Sequence, residues 1–298
     1  MLSAILTPLG GLLSALGAVT AVYIAMWWTA VTKSRGTDTA LEIGTGFVTN
    51  FFDTLGIGSF APTTSIFKFF KLVPDRLIPG TLNVGHTLPT IAQAFIYTAA
   101  IAVDPWTLIF MIAAAVAGAL LGARIVASWP KRKVQVGMGC ALLVMSALFA
   151  YKNLPSLTGQ PNLLSGTDVG TLNLQGARLI IGLAGNFALG ALMTLGIGLY
   201  APCMILIALL GMNPKAAFPI MMGSCAFLMP LCSQTFVRRQ AYELRPAVAL
   251  AIGGIPAVLI AAFIVKEMNL TMVRWLVVAV AMIAAGMMLR SARAADVQ

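Results

Sequence analysis

Long apolar runs alternate with short polar segments along most of the 298-residue chain. Several runs reach the ~20 residues that a helix needs to cross a bilayer. They predict membrane helices over residues 4–31, 77–102, 105–128, 133–151, 215–237, 245–265 and 271–291. The chain is 59% hydrophobic and 9% charged, whereas soluble domains carry about 25% charged residues. The pattern therefore predicts an all-α polytopic membrane protein.

Two further apolar segments, residues 41–72 and 182–212, are interrupted by glycine and proline. The first contains LGIGSFAP at residues 55–62, and the second contains LGIGLYAP at residues 195–202, at an offset of 140. That offset, with a slip of one residue in its second part, pairs Pro62 with Pro202, Pro74 with Pro214, Pro79 with Pro219, Asn83 with Ser224, Pro89 with Pro230 and Gln93 with Gln234. A shared register over this length indicates two copies of one unit.

The repeat divides the chain into four parts. Residues 1–39 hold an extra N-terminal transmembrane helix, 40–151 the first copy, 152–175 a polar linker rich in Asn, Gly and Ser, and 176–298 the second copy with a short tail. Each copy is predicted to contain one interrupted segment and then three transmembrane helices. The linker is expected to lie outside the cytoplasm.

The distribution of Lys and Arg favours interrupted segments that turn back over segments that span the membrane. If each is a re-entrant hairpin, 14 of the 19 basic residues fall on one side and 5 on the other; if each spans, the split is 10 to 9. Basic residues concentrate on the cytoplasmic side of membrane proteins, so the hairpins are favoured. Arms of about 13–15 residues would also be too short for a ~30 Å hydrocarbon core.

Three crossings per copy would invert the second copy relative to the first, as in transporters built from inverted repeats. We then expect a plasma (inner) membrane protein with its N-terminus outside and its C-terminus in the cytoplasm.

The two tips are predicted to form an anion site. Their glycines allow a tight turn, and a proline suits the first turn of the helix that follows. Each tip would then present the N-terminus of a short helix, with unpaired N–H groups and the positive end of the helix dipole, and both are expected to meet near the midplane. A side chain at Gly58 or Gly198 is expected to strain the turn and block the site. The candidate binding residues here are Gly56, Gly58, Ser59, Pro62, Thr63, Gly196, Gly198, Pro202 and Cys203. Tight packing or a kink is the alternative explanation of the motif.

A polar stripe marks the predicted helix 77–102. Asn83, His86, Thr90 and Gln93 fall at spacings that share one helix face. The second copy carries Ser224, Cys225 and Gln234 on or beside the equivalent face. These residues either line a substrate path or join neighbouring helices by hydrogen bonds.

Asp53 and His86 are the candidates for proton coupling, because both are titratable and lie inside apolar segments of the first copy. Their counterparts in the second copy are Met193 and Ala226 or Phe227, which do not titrate. A protonated histidine attracts an anion, and a neutral carboxyl does not repel one. Protons are therefore expected to favour anion binding. Alternatively, Asp53 pins the tip by accepting backbone hydrogen bonds.

These motifs resemble the TauE/SafE sulfite exporter family, also called the toluene-sulfonate uptake permease family. The resemblance lies in LGIGSFAPTT and LGIGLYAPCM, followed by PGTLNVGHTLP and PIMMGSCAFLMP respectively, and it extends over both copies. It implies a permease for a small sulfur-containing anion such as sulfite, a sulfonate or sulfoacetate.

Other classes are less well supported by the sequence. It contains no HExxH motif and no Ser/His arrangement, so an intramembrane enzyme is not expected. The four cysteines lack the spacing of a zinc site, and we expect no metal, cofactor or nucleic acid. An anion channel and a carboxylate permease of the same architecture remain alternatives, and a homodimer remains open.

Overall fold

The computed structural model describes residues 7–32, 40–122, 129–159, 170–193 and 198–294. Within these ranges the chain is helical, and its one β-type pairing is the isolated bridge between Thr171 and Met212. The helices of the first half are α1 (Pro8–Val31), α2 (Ala40–Thr54), α3 (Phe60–Phe70), α4 (Ile78–Ala100), α5 (Pro105–Ala117), α6 (Lys131–Asn153) and α7 (Pro155–Thr158). Those of the second half are α8 (Gly176–Met193), α9 (Tyr200–Leu209), α10 (Ala217–Arg238), α11 (Leu244–Glu267) and α12 (Leu270–Ala294).

Seven of the described helices are long and apolar enough to cross a membrane. They are α1, α5 with the π-helical turn Gly118–Gly122 that extends it, α6, α8, α10 with the preceding 3₁₀ turn, α11 and α12. The protein is therefore a multi-pass membrane protein, as the hydropathy pattern predicts. Helix α4 has 23 residues but is not among the seven, because its stripe of amides, hydroxyls and imidazole lowers its hydropathy.

The helix order repeats along the chain. A helix, a short helix, a 3₁₀ turn and three long helices occur from α2 to α6, with the turn at Asp75–Leu77, and again from α8 to α12, with the turn at Pro214–Ala216. Pro89 and Pro230 lie inside the corresponding helices α4 and α10. The repeat seen in the sequence therefore corresponds to a repeated order of elements.

The arms of the interrupted segments differ in length more than the sequence predicts. Helices α2, α3 and α9 have 15, 11 and 10 residues, whereas α8 has 18. The prediction that every arm is too short to cross is wrong for α8. The residues that precede Gly182, which include Arg178, continue its helix back to Gly176, which lengthens this arm.

In the first interrupted segment, the two arms run in opposite directions along α4. On α2, Asn50 bonds His86, and Thr54, one turn later, bonds Gln93, two turns later on α4. The helices α2 and α4 therefore run parallel. On α3, Thr63 bonds His86, while Phe67 packs near the start of α4 beside Leu82. Because α3 runs antiparallel to α4 whereas α2 runs parallel to it, the chain turns back at residues 55–59.

The second interrupted segment also turns back. Gly185 of α8 faces Leu206 of α9, and Gly182 faces Leu210. The residues on either side of the segment pair with each other, since Thr171 N donates to Gly211 O at 3.3 Å and Asn213 N donates to Thr171 O at 3.0 Å. The chain therefore enters and leaves this segment at the same place.

The chain divides into two compact units. One comprises Met1–Ala100 and Met222–Ile264, and the other comprises Ile101–Met221 and Val265–Gln298. Each unit contains one interrupted segment together with helices from both sequence copies. The first unit also holds α1, whose Tyr23 and Trp27 are buried and whose Tyr23 hydroxyl donates to Val84 O at 2.8 Å.

Within each unit, the first arm of the interrupted segment packs tightly on a helix of the other copy. In the first unit, α2 meets α11 where Gly253 lies against Ile43 and Gly46 lies against Leu250. In the second unit, α8 meets α5 and its π turn, where Gly190 lies against Ala115. Because α5 and α11 occupy the same place in the repeated helix order, the two arrangements correspond.

Candidate functional site

The first tip begins with a helix C-terminus that is capped by glycine. Ile57 N donates to Phe52 O at 3.1 Å, and Gly56 N donates to Asp53 O at 2.8 Å. Gly56 has φ of 96°, so these two bonds form a Schellman motif with Gly56 in the left-handed position. The N–H of Gly56 is therefore used inside the tip, and this predicted binding residue serves to end α2.

The start of α3 supplies backbone donors. Gly58 has φ of 91°, and Ser59, at the N-cap, makes no side-chain capping bond. Thr63 N makes the first bond of the helix, to Ser59 O at 3.0 Å. The N–H groups of Phe60 and Ala61 donate to no acceptor among the residues that the structure describes. Pro62, the third residue of α3, has no N–H.

The second tip has the same order at the start of α9. Pro202 is again the third residue of the helix, and Cys203 N donates to Leu199 O at 3.0 Å. Cys203 is fully buried. A Cβ at Gly198 would meet nothing within 4 Å, and the φ angle of Gly198 lies outside the left-handed region. Gly196 lies outside the described residues.

The expected strain at Gly198 is therefore not present, because its φ lies outside the left-handed region. Gly58 differs, since its φ of 91° disfavours any residue with a Cβ. The two tips lie in different compact units.

His86 joins both arms of the first interrupted segment to α4. Its Nδ1 lies 3.1 Å from Asn50 Oδ1 on α2, and its Nε2 lies 3.1 Å from Thr63 Oγ1 on α3. All three side chains are fully buried. The Asn50 amide is fixed in turn, because its Nδ2 donates to Gly46 O at 2.7 Å.

Asp53 and Gln93 form a second buried contact, two turns further along α4 from His86. Gln93 Nε2 donates to Asp53 Oδ2 and to Thr54 Oγ1, both at 2.9 Å. The Tyr97 hydroxyl donates to Thr54 O at 2.9 Å. Asp53 is thus held by a side chain of α4 in the last turn of α2.

Asn83 faces α10. Ser233 Oγ donates to Asn83 Oδ1 at 2.8 Å, and the hydroxyls of Ser233 and Thr87 lie 3.0 Å apart. Three members of the predicted stripe, Asn83, His86 and Gln93, therefore bond neighbouring helices in this structure. These contacts agree with the alternative that the stripe joins neighbouring helices by hydrogen bonds. That the stripe lines a substrate path stays a prediction.

The corresponding residues of α10 are less polar. Ser224 and Cys225 are buried, and Gln234 is half-buried. In the second unit, Asn186 Nδ2 of α8 donates to Met111 O of α5 at 2.6 Å. The first interrupted segment is thus joined to α4 by a network of buried polar side chains, in addition to the close packing of its first arm on α11.

Several members of the network were not found by sequence reasoning. They are Asn50, Thr54, Tyr97 and Ser233. A signal for the first two is present in the sequence, because Thr49, Asn50, Asp53 and Thr54 recur at the three- and four-residue spacings that bring side chains together on a helix. Ser233 carries no comparable signal, since its role depends on which helix packs against α4.

The described part of the chain contains no group of three or more His, Cys, Asp or Glu that could hold a metal ion. Comparisons with protein-family models, with curated proteins and with solved structures found no match.

Proposed function

We propose that the protein is a secondary transporter that binds a small anion at the helix starts of its two interrupted segments. The observation that carries the proposal is the start of α3, where the N–H groups of Phe60 and Ala61 have no acceptor in the described ranges. Donors at a helix start attract an anion through both their hydrogen bonds and the helix dipole. Ala61 is exposed as a residue.

The chain reversal in both segments supports this function. Re-entrant backbone at membrane depth is tolerated where it is buried in protein or lines a water-filled cavity, and it is typical of transporter binding sites. Helix α9 has 10 residues and spans about 15 Å at 1.5 Å per residue. Because the segment returns to where it entered, we expect its tip to lie about halfway through a ~30 Å core.

The matching contacts of the two first arms support an inverted repeat. Each packs on the helix that holds the equivalent place in the other copy, α11 for α2 and α5 for α8. Two copies that exchange equivalent helices are expected to produce this reciprocal pattern. With the hairpins, the distribution of basic residues favours a plasma-membrane protein whose N-terminus is outside and whose C-terminus is in the cytoplasm.

The proposed substrate is a sulfur-containing anion such as sulfite, a sulfonate or sulfoacetate. This part rests on the resemblance of the two tip motifs to the sulfite exporter family. The chemistry agrees with it, because sulfite and sulfonate oxygens can accept several N–H bonds at once and carry the charge that a helix start favours.

A thermal-shift panel on the purified protein tests anion binding. Sulfite, taurine, sulfoacetate, acetate and chloride are compared at constant pH and ionic strength. Binding to the native state raises Tm by mass action, and we expect the sulfur anions to raise it most. The Gly58→Val variant should lose this rise, because its side chain occupies the space in front of α3.

The control is Gly137→Val, at a position where a Cβ meets nothing within 4 Å. It should retain the response to anions. A rise with acetate alone would instead favour a carboxylate permease. An equal response of wild type and Gly58→Val to every anion would contradict binding at this tip.

A further inference from the structure

Basic residues gather at one end of the helix pair α6 and α12. Helix α6 begins with the run Lys-Arg-Lys, and α12 carries two arginines in its last two turns. The exposed members are Arg132, Lys133, Arg290 and Arg293, and these four residues are named the basic patch. The patch lies wholly within the second compact unit.

Two contacts bring the start of α6 beside the end of α12. Gln135 Nε2 donates to Ser291 Oγ at 3.3 Å. Gly139, one turn further along α6, lies against Leu289 and Ala285, which come earlier in α12. The two helices therefore run antiparallel. Every residue of the basic patch is within three positions of Gln135 or Ser291 in the sequence, so the charges of both helices surround this contact.

The charge of the basic patch is not balanced within its own helices. Neither α6 nor α12 contains Asp or Glu, whereas in the first unit Lys68 Nζ lies 3.6 Å from Asp75 Oδ2. The helix dipole favours basic side chains at the end of α12 but disfavours Arg132 and Lys133 in the first turn of α6. An anion from outside the chain would supply the missing negative charge.

The surroundings of the basic patch match the headgroup level of a bilayer. Trp129, which precedes α6, is exposed, and tryptophan is enriched at the membrane–water interface. Further along the same helices, Val136 and Val144 on α6 and Met282 and Ile283 on α12 are exposed apolar residues. Charge at the end of an apolar helix surface corresponds to the phosphate and the acyl chains of a phospholipid.

We propose that the basic patch binds the headgroup phosphate of an anionic phospholipid, whose acyl chains lie along the exposed apolar surface of α6 and α12. Clusters of about four to eight basic residues next to a membrane helix attract anionic lipids. Arginine binds phosphate oxygens through two parallel N–H bonds, and lysine adds a point charge. The site uses no residue of either interrupted segment, so it does not depend on the proposed anion transport.

The test is native mass spectrometry of the full chain in a neutral detergent, with phosphatidylglycerol and phosphatidylcholine of the same acyl chains. We expect wild type to bind the first phosphatidylglycerol more tightly than phosphatidylcholine. Arg290→Gln with Arg293→Gln should weaken that binding by more than about tenfold, because each basic residue near the headgroup contributes about fivefold. Arg132→Gln with Lys133→Gln should have the same effect, and binding of phosphatidylcholine should not change.

The matched control removes two charges from another helix end. Arg238 and Arg239 are exposed at the end of α10 in the first unit, and Arg238→Gln with Arg239→Gln should keep the affinity for phosphatidylglycerol. If a double variant of the basic patch does not fold, the single variants Arg290→Gln and Lys133→Gln replace it, each with a loss of about fivefold.

Three results would overturn the lipid site. The first is equal affinity of wild type for the two lipids. The second is an affinity for phosphatidylglycerol that changes equally in the patch variants and in the control, or in none of them, since it would then not depend on the basic patch. The third is displacement of phosphatidylglycerol by an equal concentration of inorganic phosphate, which would indicate a site for free phosphate.

Discussion

At the scale of single residues, the His86 imidazole can keep both of its hydrogen bonds in the neutral form and in the protonated form. Because Asn50 Nδ2 donates to Gly46 O, Asn50 Oδ1 faces His86 and Nδ1 must be the donor. The Thr63 hydroxyl can then donate to Nε2, or it can donate to Ser59 O at 2.8 Å and accept from a protonated Nε2. Rotation of one hydroxyl therefore accommodates a proton without loss of the imidazole's hydrogen bonds.

This geometry predicts the tautomer of the neutral ring. His86 is the only histidine in the sequence, so ¹⁵N-histidine labelling gives one pair of ring signals that need no assignment. We expect a protonated Nδ1 and an unprotonated Nε2 that accepts a hydrogen bond. A ring protonated at Nε2 alone would contradict the network.

Thr63 provides the matched pair of variants for that experiment. Thr63→Ser keeps the hydroxyl and should leave the Nε2 signal nearly unchanged. Thr63→Val keeps the shape but removes the hydroxyl, so the Nε2 signal should shift and the stability should fall by about 1–3 kcal/mol. Identical spectra for the two variants would show that Thr63 does not bond the ring.

The sequence identifies the important polar residues, but it does not identify the residues that they contact. Asp53, Asn83, His86 and Gln93 stand out because polar groups are rare at membrane depth. Their partners on α2, α3 and α10 depend on which helices pack together, and no local spacing encodes that. The two roles of Gly56 and Gly58 were likewise not separable, since both are glycines of one motif.

At the scale of helices, glycines set how closely the arms approach their neighbours. A Cβ on Gly190 would meet the backbone of Ala115, and one on Gly118 would meet the carbonyl of Phe187. In both cases the contacting atoms belong to the backbone of the neighbouring helix, which cannot shift without a cost in packing energy. Helices α8 and α5 therefore require glycine at these two positions.

We predict that Gly118→Ala and Gly190→Ala each destabilise the protein by about 1–3 kcal/mol, the usual cost of overpacking. The controls are Gly137→Ala in α6 and Gly286→Ala in α12, where a Cβ meets nothing within 4 Å. Alanine is the better helix former, so these controls should be neutral or slightly stabilising. Thermal unfolding of the four variants measures the difference, and equal Tm values in both groups would contradict the packing.

The tips allow a second comparison between glycines. Gly58→Ala should cost about 1–3 kcal/mol because its φ of 91° disfavours a Cβ. Gly198→Ala should cost little, because its φ lies outside that region and the surrounding space is open. The measurement is again thermal unfolding in the same detergent. A larger loss in Gly198→Ala than in Gly58→Ala would contradict the difference between the tips.

Most helices follow from the hydropathy pattern, because length and apolar composition largely determine a membrane helix. The breaks in the two interrupted segments follow from their Gly and Pro residues. The length of α8 did not, since an apolar sequence does not show where a helix near the linker begins. The polar stripe of α4 is visible in the sequence, and it accounts for the lower hydropathy of this helix.

At the scale of the whole molecule, the proposed topology rests on the distribution of basic residues and on the reversal of both interrupted segments. We predict that single cysteines at Asn173 and Lys215, which flank the second segment, are labelled from the extracellular side. Cysteines at Arg76 and Gln240 should be labelled from the cytoplasmic side. The background lacks Cys140, Cys203, Cys225 and Cys232. If the cysteines at positions 173 and 215 are labelled from opposite sides, the second interrupted segment is not a re-entrant hairpin.

The repeat itself could be predicted at this scale, because its register is carried by prolines and glycines that break helices. The exchange of helices between the copies could not, since the sequence does not show that α2 packs on α11 or that α8 packs on α5. Neither could the polar network that joins the first segment to α4, which depends on contacts between residues far apart in the chain.

The most direct test of anion transport by the broken helices is sulfite uptake into proteoliposomes with one backbone N–H removed. Replacement of Ala61 by lactic acid changes its amide to an ester and removes the donor while keeping the side chain. The same change at Ser65, inside α3, is the control. We predict saturable uptake whose half-saturation concentration rises at least tenfold with the ester at 61, because a hydrogen bond to a charged group contributes about 1.5–3 kcal/mol. Uptake that does not saturate, or that the esters at 61 and 65 affect equally, would contradict the account.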